Sequence, residues 1–193
     1  MMNCKNNSLV KGSGWIKEGS CGCPGKNKEW QYTDVRSLCA HLLADSVLAY
    51  PIDNFGRFNR ESRLVVLSAA LALYDAGIVY ARDRKQDIGI VGTSADGSLS
   101  SNLDYFRDYA SCGRTLGRGN FFIYTLASSP LAETSIHFGL QGPLVFLRHA
   151  EDPEEKMLAQ AEFMIQNRDA RVLLAVVFDP QKAACYYLSG DKT

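Results

Sequence analysis

The sequence lacks an excess of either charge, because 21 lysine and arginine residues balance 21 aspartate and glutamate residues. A nucleic acid or a membrane surface would favour a basic excess, so we expect neither partner. No run of about 18 apolar residues is present, so no membrane-spanning helix is predicted. The first residues also lack the apolar core of a secretory signal, and we expect a cytoplasmic protein.

Cysteines in a recognisable disulfide or metal-site pattern are also lacking. The six cysteines are scattered, and Cys39 and Cys185 lie in apolar runs as small core residues do, which favours a reduced protein. Cys21, Cys23, Cys39 and His41 have the right ligand types for zinc, but their C-x-C and C-x-H spacings are not standard. We favour a loop followed by a helix face over a zinc site, and we expect neither a metal nor a cofactor.

What the sequence contains is an alternation of short apolar runs and segments with helical spacing. Five apolar runs predict strands, at 9–16, 87–92, 144–147, 171–178 and 183–188. Helical spacing predicts helices at 34–48, 59–77, 131–138 and 154–167, and another that starts at Ser98 or Ser101. Residues 18–28, rich in glycine and lysine, predict a loop.

This order of elements predicts an α/β fold, βαβαβαββ, with a five-stranded mixed sheet and helices on both faces. The last two strands should form a hairpin that gives the sheet one antiparallel edge. No internal repeat, low-complexity segment or linker is present, so we expect a single domain over residues 1–193.

The stretch 139–152 combines a turn, a strand, a bend and a helix start. Gly142 and Pro143 break the chain, and the apolar run 144–147 that follows is short enough for a buried strand. Asp152 stands before a proline and two glutamates, which is typical of a helix N-terminus. A helix N-terminus facing the end of a strand is a favoured place for chemistry, because its unpaired N–H groups point into the gap.

The segment 107–120 is rich in glycine and arginine and predicts a long excursion from the fold. Its three arginines, Arg107, Arg114 and Arg118, are compatible with phosphate binding, but we favour a solvated or interface loop. His137, alone on its predicted helix, is interpreted as a structural residue.

Four segments carry a resemblance to a known family. They are the helix Asn59–Gly77, which ends in ALALYDAG, the strand and loop Asp87–Gly97, the helix and turn Ser129–Pro143, which ends in GLQGP, and Met157–Asp179. In order and spacing they resemble the N-terminal half of β-ketoacyl synthases, members of the thiolase-like superfamily, over nearly the whole chain. The resemblance implies a thiolase-like half-domain.

The resemblance also implies that the condensing chemistry is lost. In ketosynthases a cysteine thiol after the GP turn attacks the acyl thioester, and that position falls at about Glu151 here, with no cysteine between Cys112 and Cys185. A carboxylate at a helix N-terminus is stabilised as the anion and is a poor acyl acceptor. The family's two histidines belong to the C-terminal half, beyond this sequence, and His149 alone is not a catalytic constellation.

In these respects the chain resembles the truncated, cysteine-less proteins, similar to chain length factors, of aryl polyene (flexirubin-type) pathways. The resemblance implies a non-catalytic subunit that dimerises with an active, full-length ketosynthase in polyketide or fatty-acid-like synthesis, and an acyl carrier protein is a further candidate partner. It places the dimer interface at Pro143, Leu144, Val145, Phe146 and Leu147. Candidates to shape the partner's acyl tunnel are Leu103, Tyr105, Phe106, Arg114 and Arg118, for which core and dimer packing is an equally favoured role.

Two alternatives remain open from the sequence. One is a homodimeric scaffold that binds acyl chains or an acyl carrier protein. The other is a small acyl-thioester hydrolase or decarboxylase that uses Glu151, His149 or the polar loop TSADG at residues 93–97. The face that meets the second half in full-length ketosynthases should here be either polar or covered by residues 18–50.

Overall fold

The computed structural model describes residues 9–113, 115 and 117–191. Its strands are β1 (Val10–Lys17), β2 (Ser20–Cys23), β3 (Lys28–Gln31), β4 (Gly89–Thr93), β5 (Leu144–Leu147), β6 (Val172–Phe178) and β7 (Ala183–Ser189). Its α-helices are α1 (Val35–Ala44), α2 (Arg60–Asp75), α3 (Leu99–Ser111), α4 (Gly119–Ile123), α5 (Ser129–Phe138) and α6 (Pro153–Gln166), and a 3₁₀ turn spans Phe55–Arg57.

The strands form one mixed sheet in the order β3-β2-β1-β7-β6-β4-β5. Strand β4 pairs in parallel with β5 and β6, whereas the other neighbours are antiparallel. The α/β class, the mixed sheet and the β6–β7 hairpin are therefore as predicted.

Two details of the predicted sheet were wrong. The sheet has seven strands in the described chain rather than five, because much of the predicted loop 18–28 belongs to the hairpin of β2 and β3. The last strand is also not the edge strand that was expected, since β7 pairs with β6 on one side and with β1 on the other, and the antiparallel edge of the described sheet is β3. Strand β7 is thus interior to the sheet, which agrees with the burial of nearly all its residues.

One face of the sheet is covered by α1, α2 and α5, which form the larger core. Helix α2 is buried on almost every side, as its apolar sequence predicted. It lies so close to β1 that a Cβ added to Gly12 or Gly14 would be only 2.5–2.7 Å from backbone atoms of α2 and its C-cap residue. The Asn59 side chain caps α2 by accepting a hydrogen bond from the Ser62 N–H at 2.9 Å.

Among the described helices, α6 covers the other face, over β4, β6 and β7. The outward residues of this fully described helix are Glu155, Lys156, Ala159, Phe163 and Gln166, so Phe163 is its one large exposed apolar side chain. Residues 18–50 pack on the side of α2 instead.

Among the described residues, none of the helices combines the length and apolar character that crossing a bilayer requires.

Candidate functional site

Strand β5 ends the sheet on one side and leaves an apolar edge open. Leu144 is 39% exposed, and the other four residues of the predicted interface, Pro143, Val145, Phe146 and Leu147, are half-buried. The Ile90 N–H donates to the Pro143 carbonyl at 2.8 Å. Because strand groups alternate in direction, the N–H and C=O groups of Leu144 and Phe146 point away from β4 to the open edge.

The opposite edge, strand β3, is different in kind. Its sequence is KEWQ, and Lys28, Glu29 and Gln31 are exposed. Charged side chains on an edge strand discourage pairing with another chain. The apolar β5 has no such protection within its own four residues, so the two edges of one sheet differ in their capacity for association.

A second apolar surface lies on α3 and α4. We define the α3–α4 patch by its exposed side chains, Leu99, Leu103, Phe106, Phe121, Phe122, Ile123 and Leu126. Helix α3 buries only Ser101, and α4 buries no residue. A fold rarely exposes so many large apolar side chains together unless they form an interaction surface.

The arrangement of the predicted tunnel-shaping residues is partly described. Leu103 and Phe106 belong to the α3–α4 patch, 45% and 60% exposed, whereas Tyr105 stacks on Tyr109 and meets the edge of Phe122. Arg118 pairs with Asp108 at 3.3 Å. Arg114 lies outside the described residues.

The predicted arginine-rich excursion is shorter than expected. Arg107 lies within α3 and pairs with Asp104 at 3.4 Å. With Arg118 also paired, the described arginines of this segment have carboxylate partners, which favours the solvated or interface role over phosphate binding.

The edge strand and the α3–α4 patch lie at the same end of the sheet. The Arg148 Nε, directly after β5, donates to the Ala95 carbonyl at 3.0 Å, in the loop that leads from β4 to α3. The Ser98 hydroxyl before α3 donates to the Thr125 carbonyl at 2.6 Å and so ties α3 to the segment after α4. The residue that follows β5 is thus bonded to the loop that leads into α3, and the start of α3 is bonded to the segment that follows α4.

Glu151, the predicted position of a lost nucleophile, lies at the surface of the described structure. The Glu151 side chain is 88% exposed, and its nearest cation is Lys156 at 4.0 Å. Asp152 occupies the start of α6 as predicted, but its backbone is left-handed with φ of 45° and its side chain makes no capping bond. The expected N-cap role of the Asp152 side chain was therefore wrong.

His149 is held at the end of β5 by its backbone. Its N–H donates to the Thr93 hydroxyl at 3.1 Å, and its Nε2 is buried without a hydrogen-bond partner among the described residues. No described contact joins His149 to Glu151.

The cysteines considered for zinc lie in regular structure. Cys21 and Cys23 are buried in β2, and burial raises the pKa of their thiols to about 12 and about 11. Burial also raises the pKa of the Cys39 thiol in α1. No cluster of three potential metal ligands is found in the described chain.

His137 lies in an aromatic cluster. Its ring packs 4.8 Å from Tyr50 and 4.6 Å from Phe138, and Tyr80 also meets both residues of α5. The Tyr50 hydroxyl donates to the His137 carbonyl at 2.6 Å. Burial lowers the pKa of His137 to about 4, so the ring is neutral at physiological pH, as a structural residue should be.

One polar residue in this region was missed by sequence reasoning. Glu61 in the first turn of α2 is only 9% exposed and lines a small open cleft with Asn59, Ser98 and Ser101. Burial is the main cause that raises the pKa of its carboxyl. The sequence predicted that Glu61 lies in the first turn of a helix, where acidic side chains are usually exposed. Its burial could not be inferred from the sequence pattern.

Comparison with known proteins rests on solved structures. No family model matches the chain, and no curated protein matches it. The ishigamide ketosynthase/chain length factor superposes with a TM-score of 0.65 at 12% identity, over 94% of this chain and 61% of that one. The ketosynthase ApeO in complex with its chain length factor ApeC from Xenorhabdus doucetiae gives 0.59 at 16% identity, over 96% and 80%.

A third structure, AntDE:AntF, is a type II acyl-carrier protein in complex with its ketosynthase. It gives a TM-score of 0.60 at 10% identity, over 94% of this chain and 57% of that one. The chain thus spans about three fifths of the length of the first and third structures. At these identities the likeness concerns the fold. The chain therefore has the ketosynthase and chain-length-factor fold that its motifs predicted.

Proposed function

We propose that the chain is a cytoplasmic, non-catalytic subunit, similar to a chain length factor, that dimerises with an active β-ketoacyl synthase. Its expected setting is polyketide or fatty-acid-like synthesis of the aryl polyene type. The observation that carries the proposal is the open apolar edge of β5 beside the α3–α4 patch, at a sheet whose other edge carries charged residues.

The proposed role of β5 is to continue its sheet into that of the partner. Leu144 and Phe146 offer two N–H and two C=O groups to an added strand, and the apolar side chains around them would leave water at the same time. The interface proposed is Pro143 to Leu147. Two of the similar structures support a partner of this kind, since both contain a ketosynthase with a chain length factor.

The proposed role of the α3–α4 patch is to meet the partner next to β5. Leu103 and Phe106 would contact it directly, whereas Tyr105, packed against Tyr109 and Phe122, would hold α3 and α4 together. By the resemblance to ketosynthases, this contact would form part of the wall of the partner's acyl tunnel. An acyl carrier protein is a further proposed partner, as in the similar complex of a carrier protein with its ketosynthase.

The absence of chemistry in this subunit is part of the proposal. Glu151 faces solvent and His149 has no described catalytic partner, so hydrolysis or decarboxylation by this pair is not favoured. Condensation would take place in the partner.

The test is co-expression with the ketosynthase encoded nearest the gene, followed by affinity purification and light scattering. A one-to-one complex that condenses acyl and malonyl thioesters, with no turnover by this subunit alone, supports the proposal. A homodimer that ignores the ketosynthase would contradict it and favour the homodimeric scaffold. Thioester turnover by the isolated chain, lost in Glu151→Gln, would favour the small enzyme.

A further inference from the structure

Glu61 is a buried carboxyl group that forms no ion pair within 4 Å in the described chain. It is 9% exposed, and in the described chain the one hydrogen bond that its carboxylate receives comes from its own backbone N–H. Buried carboxylates are usually paired with a cation or bonded to several donors. Glu61 therefore differs from an ordinary acid in the first turn of a helix, which is exposed and favoured there.

The cleft beside Glu61 lies where α3 is attached to α2. Asn59 connects the two helix starts, since its Oδ1 accepts from the Ser62 N–H at 2.9 Å and its Nδ2 donates to the Ser101 hydroxyl at 3.0 Å. Ser101 is the one buried residue of α3. The start of α3 is thus attached to α2 through polar groups of few residues. One of them, Asn59, precedes Glu61 by two positions in the sequence.

The charges that face Glu61 from the surrounding elements are mainly negative. Asp104 on α3 and Asp179 after β6 both disfavour its ionised form, whereas Arg60 beside it on α2 is the one cation that opposes them. Tyr124, which also lines the cleft, donates its hydroxyl to Glu133 at 3.2 Å. An ionised Glu61 would therefore repel a carboxylate of α3 and draw water into the cleft.

We propose that the protonation of Glu61 controls how firmly the α3–α4 unit is seated on α2. With a neutral carboxyl, Asn59 and Ser101 hold the start of α3 in place. With an ionised carboxyl, repulsion from Asp104 and hydration of the cleft loosen α3 and with it the α3–α4 patch. The seating of an interaction surface thus depends on pH, independently of which partner binds there.

The test is hydrogen–deuterium exchange of the isolated protein at pH 5 and pH 8, with rates corrected for intrinsic exchange. In the wild type, protection of residues 99–111 should fall at least about 3-fold at pH 8, corresponding to roughly 0.6 kcal/mol of local stability. Glu61→Gln should keep the higher protection at both pH values. The matched control Glu155→Gln, an exposed acid in the first turn of α6, should behave as the wild type.

Equal pH dependence in the wild type and Glu61→Gln would overturn the proposal, as would pH-independent exchange in the wild type. Ser101→Ala provides a second variant if Glu61→Gln does not fold. Without the Asn59–Ser101 bond, α3 should exchange fast at both pH values, and retention of the wild-type pH dependence would also overturn the proposal. No partner enters these measurements, so they are separate from the test of the proposed dimer.

Discussion

The Asp75 carboxylate at the end of α2 accepts a hydrogen bond from the backbone N–H of Lys26 at 2.8 Å. It also accepts from the N–H groups of Gly25 at 3.2 Å and Ser13 at 2.9 Å. An acid is unfavourable at a helix C-terminus in isolation. Here it joins α2 to the turn between β2 and β3 and to β1, so its bonds outweigh its unfavourable place on the helix.

We expect Asp75→Asn to loosen the β2–β3 hairpin. The amide keeps one acceptor but presents an N–H₂ group to backbone donors, which should lower the free energy of unfolding by about 1–3 kcal/mol. Urea unfolding measures this loss, and hydrogen exchange at residues 20–31 locates it. Asp83→Asn, at an exposed position, is the control. Unchanged exchange in the hairpin would show that Asp75 does not hold it.

The close contact of β1 with α2 predicts a second effect. A Cβ on Gly14 would meet the Leu71 side chain and lie 2.6 Å from the Ser68 carbonyl oxygen. Gly14→Ala should therefore destabilise the protein by about 1–3 kcal/mol through overpacking. Gly56→Ala, where no atom lies within 4 Å of the added Cβ, should change the stability by less than about 1 kcal/mol. Thermal unfolding of both variants measures the difference, and equal effects would contradict the close packing.

His137 predicts a loss of stability in acid. Its folded pKa of about 4 lies below its ordinary value near 6.5, chiefly because of burial, while Asp53 and Arg82 nearby have opposite effects. Between these pH values the unfolded chain binds the proton more tightly, so stability falls as the pH drops from 6.5 toward 4, by at most about 3 kcal/mol.

The change that isolates this effect is His137→Phe, which keeps an aromatic ring beside Tyr50 and Phe138. The difference in unfolding free energy between wild type and variant, measured from pH 7 to pH 4.5, should shrink or reverse in acid. Glu61 acts in the opposite direction, because its raised pKa stabilises the folded state as the pH falls, and the difference curve removes its contribution. A flat difference curve would mean that His137 is not buried in its neutral form.

The fold was predictable where the pattern was long. The buried helix α2 and its Asn59 cap followed directly from an apolar run with a polar start. The β2–β3 hairpin did not, because four-residue strands with small residues such as Gly22 are too short to show an alternation. The interior place of β7 depends on its pairing with β1 across the whole chain, which local sequence cannot specify.

The candidate site was predictable to a similar extent. The resemblance to ketosynthases singled out strand β5 as an interface and Leu103 and Phe106 of α3 as candidates to shape a tunnel, and the structure shows that Leu144, Leu103 and Phe106 are exposed. The burial of Glu61 was not predictable, since it depends on α3 lying over the start of α2.

The strongest test of the β5 edge is a charge placed at its most exposed residue. Leu144 is 39% exposed, so Leu144→Lys should fold with a melting temperature close to that of the wild type. A lysine at this position would have to lose its hydration when another strand is added. We expect at least a tenfold loss of affinity for the co-purified ketosynthase, about 1.4 kcal/mol, measured by isothermal titration calorimetry.

The matched control is Gln31→Lys, which places the same charge on an exposed residue of the opposite edge strand, β3. Association through β5 requires that this variant bind as the wild type does. If Leu144→Lys binds normally while Gln31→Lys does not, the partner docks at β3, and the proposed role of the β5 edge is wrong. If both variants bind normally, association depends on the α3–α4 patch, and Phe106→Ser, at a 60% exposed position, should then lower the affinity without lowering the stability.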